Sequence, residues 1–159
     1  MLALGLDPGT ATTGYGLVRL LDDSSLQMVE CGVILTPKDA EPAQRLSMLY
    51  YRLGEIIAAF HPETSGVEKL FFQKNITTAI AVAQARGVIL LALTQAGLAI
   101  GEYTPNEVKQ AVTGYGSADK RQVQEMVRVQ LALDSIPKPD DAADALAIAI
   151  CHLSTRRYE

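Results

Sequence analysis

The sequence predicts an α/β fold: one mixed five-stranded sheet with helices on both faces. Three observations lead there. Three strand-like segments open the chain with short connections between them, the pattern of an antiparallel meander. Two further short strands each follow a helical segment, and helical crossovers make such strands parallel. The rest of the chain is helical in pattern, with no repeat, low-complexity stretch or linker to divide it. A single domain over residues 1–159 is expected, long enough to bury roughly 70% of the unfolded surface.

The elements follow in order. Leu2–Asp7 is apolar at Leu2, Leu4 and Leu6 and is stopped by Pro8-Gly9. A second strand spans 15–21. Asp22-Asp23-Ser24-Ser25 is a hairpin turn leading into a third strand, Leu26–Leu35. Leu46, Leu49, Leu53, Ile56, Ile57 and Phe60 then have the spacing of an amphipathic helix over 41–60, which His61-Pro62 ends. Thr64–Glu68 is a fourth strand. Residues 75–96 form a helix that is apolar nearly all round, so it is either wholly buried or meets a partner on one face; Gly97 is its stop signal. A fifth strand covers 98–103. Helices at 105–112 and 118–131 are separated by Gly114-Tyr115-Gly116-Ser117, and an alanine-rich helix, Asp140–Arg156, closes the fold.

At 48% hydrophobic and 20% charged, the composition is that of a globular protein. Cys31 and Cys151 lie far apart and form no C-x-x-C or zinc pattern, which fits a reducing, intracellular setting. No positive region precedes the first apolar stretch, so a secretory signal is not expected. Uninterrupted apolar runs such as 88–93 are far short of the ~18 residues of a membrane span, and a soluble, cytoplasmic protein is expected. The net charge of −4 argues against a nucleic-acid binder, but its distribution does not. Residues 1–68 carry net −5, residues 69–128 net +3, and the remainder net −2. A basic middle lies between acidic ends, and several of the acids are candidate metal ligands rather than surface charge.

Four carboxylates stand out. Asp7 ends an otherwise apolar strand, where an ionised carboxylate is costly unless paired or bound to metal; as a turn cap it is equally well explained. Glu68 ends the fourth strand, where pairing with Lys69 at the surface is the simpler account. Asp141 and Asp144 sit at i, i+3 on one face of the last helix, near its N-terminus, where the dipole favours negative charge. Ordinary capping explains Asp140 or Asp141 well and Asp144 less well. Brought together, four carboxylates repel one another unless a divalent cation neutralises them. Magnesium and manganese take oxygen ligands, and two such ions about 4 Å apart can activate a water on a phosphodiester. Other chemistry is poorly supported. No P-loop and no G-x-S-x-G elbow is present. His61 and His152 lack ligand-spaced partners, and both Gly-Tyr-Gly segments are explained by turns or bulges.

Leu6-Asp7-Pro8-Gly9, Val67-Glu68-Lys69-Leu70-Phe71, Gln84-Ala85-Arg86-Gly87, Val108-Lys109-Gln110, Gly116-Ser117-Ala118-Asp119-Lys120 and the run 141–149, in this order and spacing, resemble the RuvC family of bacterial Holliday junction resolvases. The resemblance runs from the first strand to about His152. It implies a ribonuclease H-like fold and a homodimer, formed through the helix at 75–96, that nicks two opposed strands of like polarity at a four-way DNA junction. The products would carry 5′-phosphate and 3′-hydroxyl ends. It places the family's catalytic metal ligands on Asp7, Glu68, Asp141 and Asp144, holding two Mg2+ ions, with Mn2+ able to substitute. It implies a DNA-stacking aromatic at Phe71, with Phe72 beside it. Lys74, Lys109, Lys120 and Arg121 become candidates for phosphate contact, Lys109 and Lys120 on matching positions and Arg121 on adjacency alone. The RuvA–RuvB branch-migration complex is the implied partner.

Three other readings remain in view. A relative of the YqgF type shares the opening motif and would act on RNA, but the run 141–149 favours the resolvase. Asp7-Pro8-Gly9-Thr10 is similar to a phosphate loop of actin-like ATPases and sugar kinases, which need two domains and about 250 residues. A junction-binding protein without cleavage would gain nothing from four acids facing phosphates.

Overall fold

The computed structural model describes residues 1–9, 11–69 and 76–156. Its sheet has the order β3-β2-β1-β4-β5, with β1 Leu2–Asp7, β2 Thr12–Leu20, β3 Leu26–Leu35, β4 Thr64–Glu68 and β5 Ala99–Tyr103. β1, β2 and β3 pair antiparallel, and β4 and β5 add to β1 in parallel. α1 Pro42–Phe60 and α2 Ile76–Gln95 lie on one face. α3 Pro105–Thr113, α4 Lys120–Gln130 and α5 Asp140–Arg156 lie on the other.

The helix boundaries have local causes. α1 starts with Pro42 in its first turn, and His61 ends it in the left-handed region at φ 51°. Thr104 and Glu107 form a capping box on α3, which stops at Gly114 with φ 83°. Asp119 and Gln122 do the same for α4, so that helix begins at Lys120 and not at 118. β2 begins three residues earlier than the sequence suggests. Gly14 is not a turn residue but sits within the ladder opposite Asp7.

Strand alternation divides the core in two. Leu2, Leu4 and Leu6 of β1 pack with Leu17, Ile34, Val67, Leu53, Ile89 and Leu93 under α1 and α2. Ala3 of β1, with Val18, packs under α5 against Leu146, Ile148 and Ile150. Between Ala3 and Asp7 on that face lies Gly5, and its cross-strand neighbours are Gly16 on β2 and Gly66 on β4. Gly66 in turn pairs with Gly101 on β5. Four glycines therefore form one row across four strands, and α5 lies on it. A Cβ on Gly5 would stand 2.1 Å from the Ala145 carbonyl and 2.6 Å from the Ala149 amide. One on Gly16 would stand 2.8 Å from the Leu146 amide, and one on Gly66 3.0 Å from the His152 Cβ.

His152 is the polar member of this contact. Its ring lies buried between Thr64 Oγ1 (2.7 Å) and the Tyr103 hydroxyl (2.8 Å), and burial pulls its pKa down to about 4. It is a satisfied core histidine. Both cysteines are free thiols.

α2 resolves the choice posed by its sequence. By length and composition it could cross a membrane, with a mean hydropathy of 1.8 over its best window. Ala79, Ala85, Ile89, Ala92 and Leu93 instead face the core. The opposite side is open: Ile76 is 72%, Ile80 56% and Leu91 52% exposed.

The glycine row makes a direct prediction. Gly5→Ala puts a methyl group into main-chain atoms that cannot rotate away, and should cost about 3 kcal/mol or more. Gly54→Ala, on an exposed turn of α1 with open space around it, should instead stabilise by about 0.5–1 kcal/mol. Urea denaturation of the two variants checks both signs.

Candidate active site

The strand pleat puts two of the four carboxylates side by side. Leu6 and Val67 are register partners on β1 and β4, and Asp7 and Glu68 follow them at the same end of the sheet. Side chains two apart share a face. Gly5 and Gly66 both face α5, so Asp7 and Glu68 do too.

α5 supplies the other two. Its first turns cross β2, where a Cβ on Gly14 would lie 2.0 Å from the Asp141 carbonyl. Gly14 is the β2 partner of Asp7, so this contact sets Asp141 directly beside the end of β1. Asp144, one turn on, points the same way. One carboxylate oxygen from each of Asp7, Asp141 and Asp144 lies within 4.8 Å of the others. Glu68 joins the group through a hydrogen bond with Asp7. No Glu68–Lys69 ion pair is present among the described residues; the glutamate turns inward instead.

So many acids in a half-buried space do not all ionise. Burial, then the charges of Glu68 and Asp144, push the Asp7 carboxyl up to about 9. Asp7 is thus the protonated member of its pair at neutral pH, and donates to Glu68. Burial also raises Glu68 and Asp144, though the Asp7 hydrogen bond and Lys109 oppose the shift at Glu68, and Lys120 opposes it at Asp144. This is a site whose charge is unbalanced by protein alone. An all-oxygen, anionic donor set of this kind suits a hard divalent cation.

Two lysines reach the site. Lys109 on α3 and Lys120 on α4 line a cleft of about 210 Å³ together with Glu68, Asp144 and Val108. Lys120 Nζ is 3.6 Å from Asp144 and 3.3 Å from Asp140. Burial alone would lower its pKa, but Asp144, Asp140 and Asp141 outweigh it and raise the ammonium. Asp140 stands outside the carboxylate group. It accepts from Gln124 at 3.2 Å as well, tying α4 to the start of α5. Arg121 faces away from the cleft, into a neighbouring groove with Tyr115, Gln122 and Met126. Phe71, Phe72 and Lys74 lie outside the described residues.

Sequence reasoning alone missed two features. The sequence accounts for Gly14 and Gly16 as turn or bulge residues, whereas both lie in the β2 ladder under α5, a placement visible only once the strands are aligned. The contact of Lys120 with Asp144 was also missed, because the two are far apart in sequence. The signal for the second was the capping box at Asp119, which fixes where Lys120 begins its helix.

Fold and site together define a ribonuclease H-like enzyme with a carboxylate cluster able to hold a metal ion. Residues 3–152 match the family described as crossover junction endodeoxyribonuclease RuvC. The RuvC protein of Chloroflexus aggregans is 57% identical over 155 residues, covering 98% of this chain and 94% of that one. The structure of Thermus thermophilus RuvC in complex with a Holliday junction substrate superposes with a TM-score of 0.90 at 32% identity, covering 99% of this chain and 96% of that one. The yeast mitochondrial Holliday junction resolvase shares the fold, with a TM-score of 0.70 at 18% identity over 98% of this chain and 82% of its own. The chain belongs to the RuvC family.

The raised carboxyl has a measurable consequence. Asp7 binds its proton more tightly in the folded state than when unfolded, so the metal-free fold loses stability as pH rises from 3.8 toward about 9. Asp7→Asn needs no proton. It should flatten this decline and raise Tm near pH 8 by about 2–4 °C, the equivalent of ~1 kcal/mol in a chain of this size. Thermal melts in EDTA from about pH 5 to about pH 9 test it; a variant profile parallel to the parent's would refute the assignment.

Proposed function

We propose that this protein is a structure-selective endonuclease that resolves four-way (Holliday) DNA junctions by paired, symmetric nicks, in homologous recombination and repair. The observation that carries the reading is the meeting of Asp7, Glu68, Asp141 and Asp144 at one sheet end in a chain that matches its family over residues 3–152. The T. thermophilus relative is described in complex with a Holliday junction substrate, which supports the same substrate here.

The carboxylates would hold two Mg2+ ions, or Mn2+ in their place. Asp7, between Glu68 and the α5 pair, is suited to both; Glu68 and Asp144 to one each; Asp141 to ligating or orienting the attacking water. When bound, such ions supply a nucleophilic water at neutral pH and stabilise the leaving oxygen, which departs as a 3′-hydroxyl and leaves a 5′-phosphate. The chain's own residues do the rest. Asp7 would hold a metal only in its deprotonated form. Lys109 and Lys120 on the cleft wall are placed to attract the DNA backbone. Phe71 is the residue proposed to stack on an unpaired base at the junction, with Lys74 and Arg121 adding phosphate contacts further out.

The exposed side of α2 supports a homodimer. Ile80, Ala83, Gly87, Leu91 and Thr94 fall at helical spacing along that side, and Gly87 leaves room for close approach of a second helix. This stripe would meet a second copy rather than lipid, and a two-fold pair would present two sites to the two strands to be cut. The whole chain then acts as one nuclease domain in the cytoplasm, with RuvA–RuvB as the proposed partner.

Two experiments test this. A synthetic junction with a mobile homologous core should be nicked symmetrically with Mg2+ or Mn2+ and remain intact in EDTA. Asp7→Asn should bind it but leave it uncut by a factor of at least ~10³, in keeping with the loss of a catalytic metal ligand. Cleavage retained in EDTA or in the variant would overturn the metal assignment. Separately, Leu91→Asp should convert a dimer into a monomer in sedimentation equilibrium and abolish paired cutting; a dimer that survives the change places the interface elsewhere.

A further inference from the structure

The Gln84-Ala85-Arg86-Gly87 segment is not used by the carboxylates or by the proposed DNA contacts, yet Arg86 is anchored more firmly than an ordinary surface arginine. It lies on α2, on the sheet face opposite the carboxylates, and its side chain is 18% exposed. Its Nε donates to the main-chain carbonyl of Glu68 at 3.2 Å. The same guanidinium pairs with Glu102 on β5.

Position makes this contact consequential. β4 is paired with β1 only as far as Val67, and with β5 as far as Glu68. Beyond that, the Lys69 amide donates to the Tyr103 carbonyl at 2.7 Å, and the chain leaves the sheet. Glu68 thus carries its carboxylate at the last position that the ladder supports. The Glu68 side chain points to α5, while its carbonyl is gripped from the α2 side. An arginine fork can hold that carbonyl and a carboxylate at once; a lysine ammonium on a flexible stem matches the pair poorly.

We infer that Arg86, held by Glu102, is the positioning residue for Glu68: it fixes the main chain at the end of β4, and through it the reach of the Glu68 carboxylate toward a bound metal. The inference rests on the reading of Glu68 as a metal ligand. It also gives α2 a second task, since Gly87, the next residue, belongs to the exposed stripe. The Arg86 guanidinium contacts the Glu68 main chain and Glu102 from the sheet face opposite the carboxylates. As an isolated, partly exposed ion pair it would contribute little to stability. As a support for a ligand, its loss should weaken metal binding by about tenfold.

The test measures Mn2+ binding to the DNA-free protein by calorimetry, beside junction binding and thermal melting. Four variants are compared with the parent: Glu68→Gln, Arg86→Lys, Glu102→Gln, and Glu68→Gln combined with Arg86→Lys. Glu68→Gln alone should weaken Mn2+ binding. Arg86→Lys should raise the Mn2+ dissociation constant, and the metal concentration for half-maximal cleavage, by about tenfold while junction affinity stays unchanged. Glu102→Gln should shift both in the same direction by less. In the Glu68→Gln background, Arg86→Lys should add nothing. If Glu68→Gln binds Mn2+ like the parent, the reading of Glu68 as a ligand falls. If Glu68→Gln weakens binding but Arg86→Lys and Glu102→Gln do not, the role of Arg86 falls instead. A full further loss in the double variant also overturns it, because Arg86 would then act through another group. Should Arg86→Lys fail to fold, Glu102→Gln decides: parent-like Mn2+ binding overturns the proposal, and a weakened one upholds it.

Discussion

The approach of α5 to the sheet, main chain against main chain, is the constraint on which the rest of the molecule depends. Side chains normally hold a helix about 10 Å from a sheet. Here Gly16, Gly5, Gly66 and Gly101 stand in one row with no side chains to intervene, and a Cβ on Gly5 would overlap the α5 backbone. Ala142, Ala145 and Ala149 make the helix correspondingly thin where it lies on them, and all three are buried. Such close packing leaves little freedom to slide or tilt. The position of the helix start over β2 and β1 is therefore set by the glycines, and with it the separation of Asp141 and Asp144 from Asp7. The distance between these carboxylates is thus set by residues that carry no functional group.

Electrostatics at that helix start pull in two directions. The α5 dipole and the ammonium of Lys120 favour negative charge there. Burial and mutual repulsion oppose it, strongly enough to keep a proton on Asp7. The fold tolerates this because the surrounding contacts, chiefly apolar, hold the acids together regardless of their own preference. Sites poised for chemistry are often locally unfavourable to stability in just this way. A cation held by these acids would have to displace that proton, so its binding would be coupled to proton release and would strengthen as pH rises.

α2 has two unlike sides. Its inner side, through Ala85, Ile89 and Leu93, completes the core beneath β1. Its outer side leaves Ile76, Ile80 and Leu91 exposed. Between these, Arg86 reaches the end of β4. The helix is apolar nearly all round without being wholly buried because its inner side completes the core while its outer side stays exposed.

Much of this was legible in the sequence, and the division has a physical basis. Alternation in Leu2–Asp7, the periodicity of 41–60 and the spacing of Asp141 and Asp144 all report on neighbours within about one helical turn or strand step. They yielded the element order, the antiparallel-then-parallel sheet and the four acids as candidates; the motif order yielded the family. What the sequence did not contain was distance between segments. Whether Glu68 turns to Lys69 or to Asp7, and whether Gly14 and Gly16 belong to a turn or to a ladder, are decided by register, while the packing of α4 beside α5 decides that Lys120 reaches Asp144. Register is a property of two strands and not of either alone. The sequence by itself determined which groups could do the chemistry. Only the tertiary structure, through a row of glycines aligned by strand pairing, decided that they meet.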